Sequence, residues 1–381
     1  NDVDLEKNIV LSNSFFSNAG GSLTLNAPIT LMGTNTISPG YQEDNTLNVN
    51  FNGPIGGTGG LILNSVQNFT LNGTNTYSGP TIINSATLVV VSANSSLGNS
   101  SLIEVGNANA TLELDNSSGL TLGSGQTLAG NANNSSGFGG IYGEITANAG
   151  STVSPGVDGP GTLALYNDLT LSDATLAIDL GSDPTQQGNG VNDLINVSGN
   201  LTLNGVNTIQ ITPVGPLSSA SPYTIMTYSG LTGGAANLQI VSSNPRYTIS
   251  IVDPATTPGS IQVMITGVPT PLVWKGGQSP EPNVWNHTIA NFFNPGTSAY
   301  DHFYDGDQVT FDDTAVTNIV DVTETVLPSL LTLANNSIAY TFTGDGNIGG
   351  TLNKEGSGMV TLATSNAPAL NSITNNQGTL I

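Results

Sequence analysis

His287 and His302 are the only imidazoles in this chain of 381 residues, and cysteine is absent. A zinc-type centre draws on several Cys and His ligands, so the two read as loop histidines without a catalytic role. The densest acidic group is Asp305, Asp307, Asp312 and Asp313. On extended chain Asp305 and Asp307 point to one side, and carboxylate oxygens are the hard donors that calcium takes. These four are the candidate calcium site. Their spacing is neither an EF-hand loop nor the Gly-Asp nonapeptide of calcium-binding β-rolls. The competing reading is a solvated turn whose aspartates cap their own backbone. Asp179, Asp183 and Asp193 flank a Gln-Gly-Asn loop and form a second, sparser candidate. Trp274 and Trp285 offer flat faces to a sugar or, beside Phe292 and Phe293, the core of a module.

Catalysis finds little else to use. Polysaccharide cleavage by elimination needs a strong base and a cation to neutralise the sugar acid. The basic residues are four: Lys7, Arg246, Lys275 and Lys354. Glycoside hydrolysis needs two carboxylates facing each other across about 5–10 Å, and the acidic residues here are dispersed. Glycine-rich pieces such as Gly56-Gly57-Thr58-Gly59-Gly60 lack the Gly-Lys-Ser/Thr of a phosphate loop. The expectation is a protein that is not an enzyme and has no cofactor beyond the candidate calcium.

Composition narrows the partners. Charged residues make up 8% of the chain and the formal charge is -22, so the positive footprint that nucleic acid or an anionic membrane surface requires is missing. No apolar run approaches the ~20 residues of a membrane helix. A surface of neutral amides and hydroxyls suits life outside a cell. The first residue, Asn1, is consistent with a processed start or with a fragment.

The elements that must carry these residues are short strands. The recurring unit is apolar, small polar, apolar, then Asn, Asp or Gly: Leu23-Thr24-Leu25-Asn26, Leu61-Ile62-Leu63-Asn64, Phe69-Thr70-Leu71-Asn72, Leu201-Thr202-Leu203-Asn204. Period-two alternation buries one face of a strand, and Asn or Gly soon bends the chain. No sustained 3.6-residue pattern is present, so helices are expected to be nearly absent. Runs of three apolar positions are too short for a sandwich and fit coils that turn a corner after each run and stack on the next, with Asn forming side-chain ladders at the turns. Coils of roughly 20–25 residues at about 4.8 Å spacing make the first domain some 50–60 Å long.

The unit repeats over a distance. Residues 61–84 lie on 352–375 at constant offset: Leu61 on Leu352, Thr70-Leu71 on Thr361-Leu362, Asn75 on Asn366, Ile82 on Ile373, Asn84 on Asn375. One inserted residue later, Thr87-Leu88 meets Thr379-Leu380. A second echo sets Thr36-Ile37-Ser38-Pro39-Gly40 against Thr152-Val153-Ser154-Pro155-Gly156. The stretch GGTGGLILNSVQNFTLNGTNTYSGPTIINSATLVV resembles the passenger-associated repeat of bacterial autotransporters. The region from Ser154-Pro155-Gly156 through Asp193-Leu194-Ile195 to Tyr223-Thr224-Ile225-Met226 looks like later coils of such passengers. From Val273-Trp274-Lys275-Gly276 through Asp305-Gly306-Asp307 to Tyr340-Thr341-Phe342 the chain is similar to bacterial surface proteins with autotransporter-associated strand repeats. The resemblance implies a right-handed parallel β-helix at the cell surface or secreted, with repeats that serve as scaffold and carry no catalytic residues. No membrane-barrel segment follows, which leaves the export route open.

The expected fold is therefore all-β: a β-solenoid over 1–267, a stiff linker at 268–271, an aromatic-rich β module over 272–345, and a terminal repeat coil over 346–381. The module holds ten aromatics in about a fifth of the length. Neither end carries a charged or helical cap. Ile9, Leu11, Phe15 and Phe16 at one end and Thr379, Leu380 and Ile381 at the other are the candidate self-assembly residues. The expected partner is the chain itself, stacked head to tail as a heterologous contact that grows into a fibre. A piece of a longer adhesin, binding a glycan or a surface ligand, is the alternative.

Overall fold

The computed structural model describes residues 3–5, 7–16, 22–38, 48–64, 68–84, 88–92, 95–97, 99–106, 110–115, 119–130, 140–156, 159–188, 190–242 and 244–381, with side chains omitted at 3–5 and 15–16. Among these residues there is no α-helix; one 3-10 turn, Ala235–Asn237, interrupts a wholly β chain.

The alternating couplets become strands with one face in. Leu23–Leu25, Asn68–Leu71 and Thr175–Leu180 all alternate buried with half-buried or exposed positions. Each strand pairs in parallel with its counterpart one coil later: Phe69 stands opposite Val89, and Leu61 opposite Thr81. Two long sheets result, one from Val3–Leu5 to Tyr223–Thr227, the other from Phe15–Phe16 to Leu238–Ser242. Shorter sheets line a third side, Ile9–Ser12 to Ile55–Gly57 and then Leu120–Leu122 to Gly230–Thr232. Inward residues of all of them merge into one core, from Leu23 to Ile265. This stacking of parallel rungs fits a β-solenoid.

The column is shorter than its sequence suggested. Ten parallel strands in the first sheet span about 43 Å at ~4.8 Å each. Most early coils take twenty residues, as from Asn68 to Leu88, though Leu23 to Val49 takes twenty-six, and Thr162 pairs with Leu194 thirty-two residues on, so the later chain goes into loops and longer strands. An antiparallel hairpin, Tyr247–Val252 with Ser260–Gly267, lies against Tyr223–Thr227 and ends the parallel order on that side.

A second pair of sheets begins at Pro271–Trp274, the last residue of the expected linker being the first of a strand. Its core is aromatic: Trp285 lies 5.4 Å from Phe303 and 5.6 Å from Phe292, edge to face, and Trp274 stacks on Phe311 at 5.5 Å. Leu330–Leu333 pairs with Gly349–Lys354, which pairs with Ala369–Asn375. Residue 346 thus lies inside continuous ladders, and Leu352 and Val360 share the core of Trp274 and Trp285.

The two repeat copies occupy matching places, with one correction. Leu352 faces Ile373 where Leu61 faces Thr81, because the ladder shifts between Gly350 and Thr351. Val360 faces Leu380 where Phe69 faces Val89. The structure therefore makes Ile373 the counterpart of Thr81 and Leu380 that of Val89, one residue away from the sequence alignment in each case. A bulge moved the extra residue into the strand. In the second echo, Thr34–Ile37 and Thr152–Pro155 fall in the same long sheet; Pro39, Gly40 and Thr87 lie outside the described residues.

Candidate functional site

A cluster of ionisable side chains forms where the hairpin of the first column meets the loop 304–307 of the second. Arg246 precedes the hairpin strand Tyr247–Val252, and its guanidinium reaches across 61 residues to Asp307. Nε donates to both carboxylate oxygens at 3.1 Å and Nη2 to Oδ2 at 2.9 Å. Nη1 donates to Asp301 Oδ2 at 3.0 Å, Nη2 also donates to the His302 carbonyl at 2.8 Å, and the Tyr304 ring lies 5.0 Å from the guanidinium carbon. A planar fork with five donors suits such a set of acceptors. Asp307 is fully buried and also accepts from the backbone N–H groups of Thr270 and Tyr304. Burial raises its carboxyl above the usual range, while Arg246 and these N–H groups pull it back. At Asp301 burial also pushes upward, but Asn294 and Arg246 together hold the group below its ordinary value.

Beside this clamp, His287 lies between two carboxylates. Its Nε2 is 3.0 Å from Asp305 Oδ1 and its Nδ1 2.7 Å from Glu324 Oε1. Asp305 also accepts the Leu327 N–H at 2.8 Å, and its carbonyl accepts Asn244 Nδ2 from the first column at 2.9 Å. The hydrogen bond to Asp305 raises the His287 pKa against the lowering effect of burial, and the charges of Asp305 and Glu324 add to the rise. A cavity of about 260 Å³ lies alongside, lined by Thr212, Pro213 and Asn244 on one side and His287, Tyr304 and Asp305 on the other.

The four aspartates of the expected calcium site are not brought together, which corrects that expectation. Asp305 serves His287 and Leu327, and Asp307 serves Arg246. Beyond the strand Gln308–Phe311, Asp312 accepts from Thr314 within its own turn. Asp313 caps the next turn through the N–H groups of Asn336, Ser337 and Ile338, which lower its pKa. Among the described residues no group of three or more His, Asp or Glu is placed to hold a metal ion. Of the second candidate, Asp183 turns away to cap Thr185, while Asp179 and Asp193 stay adjacent through backbone: buried Asp193 accepts the N–H groups of Gly161 and Asp179 at 2.7 and 2.8 Å. Trp274 and Trp285 are fully buried, so neither offers a face to a sugar.

The candidate self-assembly residues lie at or beside sheet edges. Ile9 and Leu11 pack partly buried against the core, in an edge strand. Phe15–Phe16 is the edge strand of a long sheet, and the side chains of Phe15 and Phe16 lie outside the description. Thr379–Leu380 forms the edge of the opposite end, with Ile381 66% exposed and Ile373 56% exposed.

Sequence reading missed Arg246, Asn244 and Glu324, and it gave His287 no role. The available signal was slight: Arg246 is the only arginine in a strongly acidic chain. A scan against models of protein families gives no match, and a search of curated proteins gives none either.

Proposed function

We propose that the chain is a structural protein of the bacterial surface or its surroundings: a right-handed β-helix, autotransporter-like in its repeats, that builds a filament, sheath or stalk by stacking head to tail. One observation carries the reading. Rungs of the same design recur far apart in the chain, Leu61 against Thr81 and Leu352 against Ile373, in ladders whose outermost parallel strands are Phe15–Phe16 at one end and Ala369–Asn375 at the other. Parallel strand addition between copies would extend such ladders without a new kind of contact. The ionisable groups at the junction support a scaffold rather than an enzyme, since they bond to one another and to backbone. The alternative is an adhesin passenger within a longer surface protein, for which the low charge of 8% leaves a neutral, hydroxyl-rich face for glycans.

Negative-stain microscopy of the purified chain tests the first reading. Filaments are expected, and deleting residues 372–381 or introducing Ile373→Asp should leave single rods. Filaments that persist unchanged in both variants would refute stacking through this edge. Single rods at all concentrations, with specific retention of a glycan on an array, would favour the adhesin.

A further inference from the structure

We propose that His287 is a proton-operated latch on the loop 304–307, which joins the two columns, so that loss of one proton loosens the joint. The two contacts of the ring carry it. A neutral imidazole carries one N–H and one bare nitrogen, yet both ring nitrogens of His287 lie within hydrogen-bond distance of a carboxylate, Asp305 at 3.0 Å and Glu324 at 2.7 Å. Only the imidazolium satisfies both. After deprotonation one carboxylate faces a lone pair, and either Asp305 or Glu324 must move.

Asp305 is the residue through which that movement reaches the other column. Its carbonyl holds Asn244, and its carboxylate holds the Leu327 N–H. Its neighbour Gly306 donates to the Leu327 carbonyl at 2.8 Å and has its own carbonyl held by Ser329 at 2.6 Å. Gly306 has φ +92, and a Cβ there would lie 3.1 Å from the Tyr247 hydroxyl and 3.3 Å from Pro216. The loop is thus gripped from both columns. The adjoining cavity of about 260 Å³ gives water a place beside the imidazole. Asp305 and Glu324 face His287 directly, with Tyr304 on the same cavity. From the first column, Asn244 lines the cavity and Arg246 lies beyond, neutralised by Asp301 and Asp307. The raised His287 pKa sets the release above the ordinary histidine range of about 6.5.

Because the chain has no cysteine, spin labels can be placed on Val206→Cys and Ile319→Cys, both exposed, one in each column of the full chain. The distance distribution should be narrow at about pH 6 and broaden by about pH 9. In Glu324→Gln the amide oxygen keeps the His287 backbone N–H, but the negative charge that favours the imidazolium is gone, so the distribution should begin to broaden at a lower pH than in the parent. In His287→Gln it should no longer depend on pH. A parent distribution that does not broaden, or a Glu324→Gln variant that broadens at the same pH as the parent, would overturn the latch; melting curves of each variant identify any that fails to fold.

Discussion

At Asp193 two opposing effects meet on one side chain. The N–H groups of Gly161 and Asp179 favour the carboxylate, but burial is larger and pushes the pKa up to about 8, with the charge of Asp179 adding to it. The unfolded chain releases this proton near the ordinary value of about 3.9. Between those two values the folded chain holds a proton that the unfolded chain lacks, so stability falls as pH rises across that window, by at most about 1.4 kcal/mol per pH unit. His287 acts in the same direction but higher: its contribution is complete below about 6.5 and is lost as pH rises through its raised folded pKa. Urea titrations from about pH 4 to 8 should therefore show a steeper decline for the parent than for Asp193→Asn. Equal slopes would show that Asp193 ionises as an ordinary carboxyl.

The corner after each strand of the first long sheet shows how an element is specified. Asn52 Nδ2 donates to Asn26 Oδ1 and Asn72 Nδ2 to Asn52 Oδ1, both at 2.7 Å, and Ser92 donates to Asn72. The next residue lies under stacked backbone: a Cβ at Gly73 would come within 2.3 Å of the Gly53 carbonyl oxygen. Asn52→Ala removes two exposed hydrogen bonds whose partners can turn to water, a loss of about 1 kcal/mol or less. Gly73→Ala forces backbones apart and should cost about 2 kcal/mol or more, and urea denaturation of the two variants should rank them so. A larger loss for Asn52→Ala would make the side-chain ladder, not backbone contact, the determinant of the corner. This much was legible in the sequence, since strand alternation and Asn-Gly turns are local signals. The shift at Gly350 was not: Ile82 and Ile373 match in type, and the bulge that separates their places is a property of the pairing. The antiparallel hairpin was hidden for the same reason, because Tyr247–Val252 and Ser260–Gly267 alternate as the parallel strands do. The junction was hidden by distance, as its partners Arg246 and Asp307 lie 61 residues apart.

Arg246 ties the two columns together, alongside His287, which holds the same loop through Asp305. The chain between them, Val268 to Thr270, is short, and Val268 is 70% exposed, so its own side chains add little packing to the joint. Against that stand the guanidinium bonds to Asp301, Asp307 and the His302 carbonyl, with side-chain exposures of 12% for Arg246 and 0% for Asp307. Charged hydrogen bonds in such surroundings are stronger than those on an open surface. Arg246→Gln leaves Asp307 buried without its cation, which by analogy with other broken buried pairs costs about 3–5 kcal/mol. That loss is expected to appear first as separation of the columns, because each has its own apolar core. Two melting transitions should replace one, and small-angle scattering should show a broader range of shapes. Arg246→Lys should recover only part of the rigidity, since one ammonium cannot span acceptors on Asp301, Asp307 and His302 together. A single unchanged transition in Arg246→Gln would mean that packing of Gly306 against Tyr247 and Pro216 holds the joint without the ion pairs.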